Sequence, residues 1–215
     1  MIYCTVSVGE EISKKYQYEI NQLSKSQKVV ILTDSPQYFN NCEIIHYKRN
    51  IFSYYEKLPF LLRLVLENKQ RIVYFDVDSI NLIDNKFDFD MESVYTYKIF
   101  QNENFTIEKL REDSGYTLTL DIYEKLGYKM CNYVHERFIS IPYSEKVKSV
   151  LDDILMLQPI FEETYSKNKV WKNPSRLNLK RYSETGCGYG EGGALSVVLK
   201  NHDINIKSIF GKNLI

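Results

Sequence analysis

Cysteine is scarce in this chain. Cys4, Cys42, Cys131 and Cys187 are the only four in 215 residues, and no two form a CxxC pair or a zinc spacing. That excludes a disulfide scaffold and a zinc module, and it predicts free thiols in a reducing, cytoplasmic compartment. Net charge is also missing, since Lys+Arg 28 balance Asp+Glu 28. A phosphate-backbone binder carries a basic excess or stripe, so no nucleic-acid partner is expected. No long apolar run occurs: the best, Leu58 to Leu66, is broken by Arg63, so no membrane span is expected. Met1-Ile2-Tyr3-Cys4 leads straight into a strand-like run, which is not the pattern of a signal peptide. Alanine is nearly absent, Ala194 being the only one, while Tyr, Ile, Asn and Lys are abundant. This bias reads as an AT-rich genome and carries no function.

What is present is an alternation of strand and helix patterns. Ile2 to Val8 is apolar and β-branched and stops at Gly9, as a buried first strand does. Glu10 to Ser24 is helical, with Ile12, Tyr16, Ile20 and Leu23 on one face. Lys28 to Thr33 is a second strand ending on the turn residues Asp34-Ser35-Pro36, and Glu43 to His46 is a short third. Ser53 to Asn68 is a strong helix with an apolar stripe from Leu58 to Leu66. Arg71 to Phe75, apolar on both faces, predicts a central fourth strand.

This β-α-β-β-α-β opening defines an α/β fold with helices on the faces of a sheet. Later segments predict strands at Val94 to Phe100, Tyr133 to Ile141 and Ile204 to Ile209. Helices are expected at Leu118 to Leu126, Ser144 to Lys167 and Gly190 to Lys200. Pro159 must bend or end the long one. One domain spans 1–215, with no linker or repeat.

The chemistry concentrates after the fourth strand, in Asp76-Val77-Asp78. If the strand continued, residues two apart would share a face and both carboxylates would meet at one point. Ligands of open α/β sheets bind beyond the carboxyl ends of strands. Paired carboxylates invite a hard divalent cation such as Mn²⁺ or Mg²⁺. A second DxD, Asp88-Phe89-Asp90, has no apolar strand before it and is expected to be loop or strand-edge decoration. The alternative for Asp76 and Asp78 is a pair of turn and cap residues.

Three site types place DxD after an apolar strand. A haloacid-dehalogenase phosphatase would use Asp76 as nucleophile, but it needs later acidic and basic groups, and Asp152-Asp153 falls inside the long helix. A polymerase palm, whose YxDxDS turn resembles Tyr74 to Ser79, is disfavoured by the neutral charge of a 215-residue chain. Over most of its length the sequence resembles the GT-A glycosyltransferases, which act on nucleotide-diphospho-sugars with a metal-binding DxD. The matching segments are TVSVGEE, Thr33-Asp34, FSYYEKLPFLLRLVLE, IVYFDVDSI and GYGEGGALSVVL.

The resemblance implies a Rossmann-like, mixed but mostly parallel sheet flanked by helices. Residues 1–100 would bind nucleotide and metal, and 101–215 would form the acceptor side. It places Thr5, Val6 and Ser7 at the base pocket, Asp34 on base or ribose, and Lys57 near the diphosphate. Arg63 lies on the same helix and reads more simply as solvated. Asp76 and Asp78 would hold the metal beside Val77, with Asp78 the direct ligand. Glu191, after the glycine cluster, would face the anomeric centre or the acceptor hydroxyl; otherwise it is a helix-start glutamate.

A third metal ligand from His135 or His202 is a minor expectation. Trp171, Tyr182 and Tyr189 are candidates for stacking on acceptor sugars. The implied activity is transfer of a sugar, most simply from a UDP-linked donor and with retention, to a carbohydrate acceptor. A binding module without catalysis, or one domain of a longer polypeptide, is the non-enzymatic alternative. The size is also similar to small viral or bacterial enzymes of this class, which implies the cytoplasm, the host's if virus-encoded.

Overall fold

The structure, a computed structural model, describes residues 1–48, 54–84, 87–97, 99–100, 125–128, 133–134, 136–167 and 191–209. The strands are β1 (Ile2–Ser7), β2 (Val29–Thr33), β3 (Glu43–His46), β4 (Ile72–Phe75), β5 (Val94–Thr96), β6 (Ile99–Phe100), β7 (Tyr133–Val134), β8 (Phe138–Ile141) and β9 (Ile206–Ser208). The α-helices are α1 (Glu10–Leu23), α2 (Lys57–Asn68), α3 (Lys146–Lys167) and α4 (Glu191–Asn201). Seven strands form one sheet in the order β3-β2-β1-β4-β8-β5-β9, and β6 pairs with β7 in a separate ribbon. β1, β2, β3 and β4 run parallel, as does β9 beside β5, while β8 runs antiparallel to both its neighbours. The chain is a single-domain α/β protein with a Rossmann-like first half.

Strand parity decides what lies on each face. Ile2, Cys4, Val6, Ile72 and Tyr74 point to a core shared with α2, α3 and α4. Tyr3, Val73 and Phe75 point the other way, towards Ile20 of α1. β4 is buried throughout, as its apolar sequence predicts for a strand between β1 and β8. α2 is covered on most of its circumference because it lies between the sheet and α3, and Lys57 through Leu62 are all buried.

Several expectations change. Ile12 is 46% exposed, and Ser13 joins the inward face of α1, where Ile20, Tyr16 and Leu23 lie as expected. Ser13 fits there because its hydroxyl lies 2.9 Å from that of Ser7. The run from Val94 divides between the large sheet and the ribbon, as does the run from Tyr133, where Glu136-Arg137 turns the chain from β7 into β8. Pro159 lies inside α3 and does not end it. Residues 118–124 of the helix expected at Leu118 to Leu126 lie outside the described residues. Among the described residues, no helix is long and apolar enough to cross a membrane.

Candidate functional site at the carboxyl edge of β1 and β4

The strand order reverses direction at β1 and β4: β2 and β3 follow on one side, β4 and later strands on the other. In open α/β sheets this switch point opens a crevice beyond the strand ends. Asp76 stands there. Its N–H donates to the Arg137 carbonyl at 2.9 Å, carrying the β4–β8 pairing one residue past Phe75. Parity keeps it on the face of Tyr74, whose hydroxyl donates to Asp76 Oδ1 at 2.7 Å.

On that face lies the ammonium of Lys57, the first residue of α2. Its Nζ is 3.6 Å from Asp76 Oδ1 and 3.9 Å from Glu136 Oε1, and 5.7 Å from the centre of the Tyr74 ring. The Lys57 side chain is 5% exposed and that of Glu136 8%, against 32% for Asp76. A buried ammonium without a counter-ion costs several kcal/mol. The two carboxylates help to offset that cost for the lysine at the buried start of α2. Next to it, Gln158 Nε2 donates to Glu56 Oε1 at 2.9 Å, and the Tyr55 hydroxyl donates to the Ile154 carbonyl at 3.1 Å. These bonds tie the entry of α2 to α3.

Asp78 goes elsewhere. The strand stops at Phe75, the Ser79 N–H donates to the Asp76 carbonyl at 2.8 Å, and a 3₁₀ helix runs from Val77 to Asp84. At three residues per turn, positions two apart no longer share a face. Asp78 is accordingly exposed, with one oxygen receiving the Ser79 hydroxyl at 3.0 Å. Its charge reaches Lys15 of α1, whose pKa is raised first by the Tyr16 phenol and to a lesser degree by Asp78. Asp76 thus faces α2 and Asp78 the α1 side, with half-buried Val77 between them. The convergence expected from a continuing strand does not occur. Among the described residues, no three His, Cys, Asp or Glu side chains come together as a metal site.

The β1 and β2 ends are closed by side chains read as nucleotide contacts. Thr5 is fully buried and its hydroxyl donates to the Phe75 carbonyl at 2.7 Å. Ser7 is equally buried against Ser13, and Val6 lies in the core on the α2 side. Buried hydroxyls are costly only without partners; here both have them, so Thr5 and Ser7 are satisfied within the fold. Asp34 is exposed and clamps the β1–α1 turn. It accepts the Gly9 N–H at 3.0 and 3.1 Å, and the Ser35 hydroxyl at 2.9 Å. Gly9 has φ of 103°, a conformation that side-chain-bearing residues rarely adopt.

Glu191 is the first residue of α4. Leu199 near the end of α4 borders a cavity of about 300 Å³ at the opposite edge of the sheet, lined also by Ile141 and Val94. Since Ile141 pairs with Ile72 and Phe138 with Phe75, that cavity lies at the amino end of β4, a strand length of ~13 Å from Asp76. The start of α4 therefore points towards the Asp76 edge, beside β7. His202, at the far end of α4, has Nε2 3.0 Å from Asp153 Oδ2 and so is engaged away from the carboxylates. Arg63 is exposed on α2. His135, Trp171, Tyr182, Tyr189 and the glycine cluster lie outside the described residues.

Glu136, Tyr74 and Gln158 are members of this site that the sequence reading passed over. The one signal was Glu136-Arg137 interrupting an otherwise apolar run, a charged pair where the chain has to turn. In comparison with known proteins, the chain matches no family model and no curated protein.

Proposed function

We propose that this protein is a GT-A-type glycosyltransferase that takes a sugar from a nucleotide-diphosphate donor, most simply UDP-linked, and places it on a carbohydrate acceptor. The observation that carries the reading is the position of Asp76-Val77-Asp78: at the β1/β4 switch point, beyond the carboxyl ends, with a buried ammonium beside Asp76. The parallel β3-β2-β1-β4 half followed by one antiparallel strand suits the mixed sheet expected of that class.

Asp76 and Asp78 offer the hard oxygen donors that Mn²⁺ or Mg²⁺ takes. Asp78 is the first candidate ligand, being exposed and turned away from Lys57; Asp76 joins it only on leaving Lys57. A bound cation would supply positive charge to the departing nucleoside diphosphate. The chain's own part is to hold the donor across the crevice, with Asp34 at the nucleotide end and Glu191 at the acceptor end. Thr5 and Ser7 form the floor beneath it without offering their hydroxyls.

A thermal-shift panel of UDP-, GDP-, dTDP- and CMP-sugars, with and without Mn²⁺, tests the reading. Stabilisation by one donor class that deepens with Mn²⁺, followed by nucleotide release with an acceptor glycan, is the expected result. Hydrolysis of p-nitrophenyl phosphate that needs Asp76 and no nucleotide would turn the assignment to a phosphatase. Donor binding with no turnover on any glycan would leave a binding module.

A further inference from the structure

We propose that the cavity at the amino end of β4 is a second ligand site, which takes a small amine with an apolar body and an ammonium head. It stands apart from the strand-end site and from the activity proposed there. The cavity measures about 300 Å³. Its wall is apolar and draws on both layers of that side of the fold: Leu62 of α2, Ile141 of β8, Val150 of α3, Leu199 of α4, and Val94 and Ile204 at the β5–β9 edge. Apolar cavities of about half this volume take up benzene-sized solutes, because such a wall holds water poorly. At ~30 Å³ for each non-hydrogen atom, the space suits a body of up to about ten of them. Met91, 85% exposed at the lip, adds a flexible thioether that can fold over an occupant.

Charge selects the head group. The rim carries Glu92, Asp203 and Lys146. Lys146 is already engaged: its Nζ donates to the carbonyls of His202 and Asp203 at 2.9 and 3.4 Å, closing the end of α4. Among the described residues, the carboxylates of Glu92 and Asp203 make no hydrogen bond and no ion pair. Two carboxylates against one ammonium leave the rim negative, and the roughly half-charge at the amino end of α3 does not reverse that. An anionic head is repelled, and a neutral one leaves both carboxylates unused.

Neither carboxylate sits on an untethered turn. Asp90 Oδ1 accepts the N–H groups of Glu92 at 3.0 Å and Ser93 at 2.6 Å, which holds the turn carrying Met91 and Glu92. The Asp203 N–H donates to the Lys200 carbonyl at 3.1 Å, in the turn that ends α4. Asn205 Nδ2 donates to Ser93 Oγ at 3.0 Å, and the Val94 N–H to the Asn205 carbonyl at 2.9 Å, so the two turns are joined. A rim fixed in this way loses little freedom when an ammonium arrives.

The test uses the whole chain with ¹³C-labelled methionine methyl groups and follows the Met91 resonance by NMR, assigned from Met91→Leu. Hexylammonium, hexanol and hexanoate are the probes, equal in carbon chain and different in charge. Hexylammonium should move the Met91 signal saturably with a Kd of about 1 mM, the range for a ligand of this size. Hexanol should bind about fivefold more weakly, the worth of two exposed ion pairs, and hexanoate more weakly still. Glu92→Gln combined with Asp203→Asn should bring hexylammonium to the level of hexanol while hexanol itself is unchanged, which a damaged fold would not do. Asparagine tolerates the φ of 50° at position 203. Glu92→Gln alone, expected to weaken hexylammonium about twofold, serves if the pair does not fold. Equal binding of hexylammonium and hexanol, tighter binding of hexanoate, or variants that hold hexylammonium as well as wild type would overturn the proposal. So would a Met91 signal that no probe moves at about 20 mM, well above that Kd.

Discussion

Two DxD segments occur in this chain, twelve residues apart, and they have opposite fates. Asp90 of the second is saturated. Its carboxylate accepts the backbone N–H groups of Glu92 and Ser93 at 3.0 and 2.6 Å, the Ser93 and Tyr95 hydroxyls at 2.9 and 3.0 Å, and Lys207 Nζ at 2.6 Å. Its carbonyl receives the Arg71 guanidinium. The pKa is held well below the usual carboxylate range, first by Lys207 and then by Ser93. This aspartate stitches the β5–β9 edge of the sheet, a structural role at the strand edge, one of the two places expected of it. Asp76 and Asp78 stand instead at the switch point, one beside a shared ammonium and the other open to solvent. The same three-residue pattern is saturated at Asp90 and leaves an exposed carboxylate at Asp78.

The comparison can be broken most forcefully at Lys57. Lys57→Met leaves Asp76 and Glu136 facing each other without their ammonium, and unfolding by urea should show a loss of about 3–5 kcal/mol, as for other broken buried pairs. A loss under 1 kcal/mol would show that the triad is more hydrated than its burial implies.

Next in size is Asp78→Asn, which should lower donor-dependent turnover by about 100-fold or more if its charge assists the leaving diphosphate. Asp88→Asn, in the second DxD, should leave turnover at the wild-type level. Equal effects of the two substitutions would erase the functional distinction between the segments.

A smaller effect tests the floor of the crevice. Thr5→Val removes the donor to the Phe75 carbonyl and should cost about 1 kcal/mol of stability without changing nucleotide affinity. A weakened nucleotide affinity at unchanged stability would return Thr5 to the base pocket.

The smallest effect is expected at Asp90, because that group is solvent-exposed and its ion pair screened. Its folded pKa is depressed, so its contribution is present above the unfolded value of about 3.9 and lost as pH falls through the folded value. Asp90→Asn should therefore melt below wild type by a constant margin from pH 7 to about 5. The margin should narrow below about pH 4, where wild type begins to lose the same contribution, and also in 1 M salt. A margin that widens on acidification would contradict the assignment.

Much of this arrangement was legible. The run Arg71 to Phe75 is apolar on both faces, and it does form the strand between β1 and β8. The order of elements through β4 follows from periodicity, with boundaries within a residue or two except at the start of α2, which begins at Lys57 and not Ser53. Lys57 was harder, because a lysine one turn into an amphipathic pattern reads as solvated unless the helix is known to be covered by α3. Glu136 was not legible, since its partner is 79 positions earlier in sequence and the turn that presents it interrupts what looked like one strand.

The sequence by itself determined the class, because alternating periods of two and 3.6 specified an α/β sheet. It also located the carboxylates at a strand end, because apolar β-branched runs stop where polar turn residues begin. Only the tertiary structure decided what those carboxylates do. A strand that ends at Phe75 instead of Asp78 turns them to opposite sides, and the covering of α2 by α3 converts Lys57 from a surface charge into a buried counter-ion. Burial and direction depend on neighbours distant in sequence, and local pattern carries no record of them.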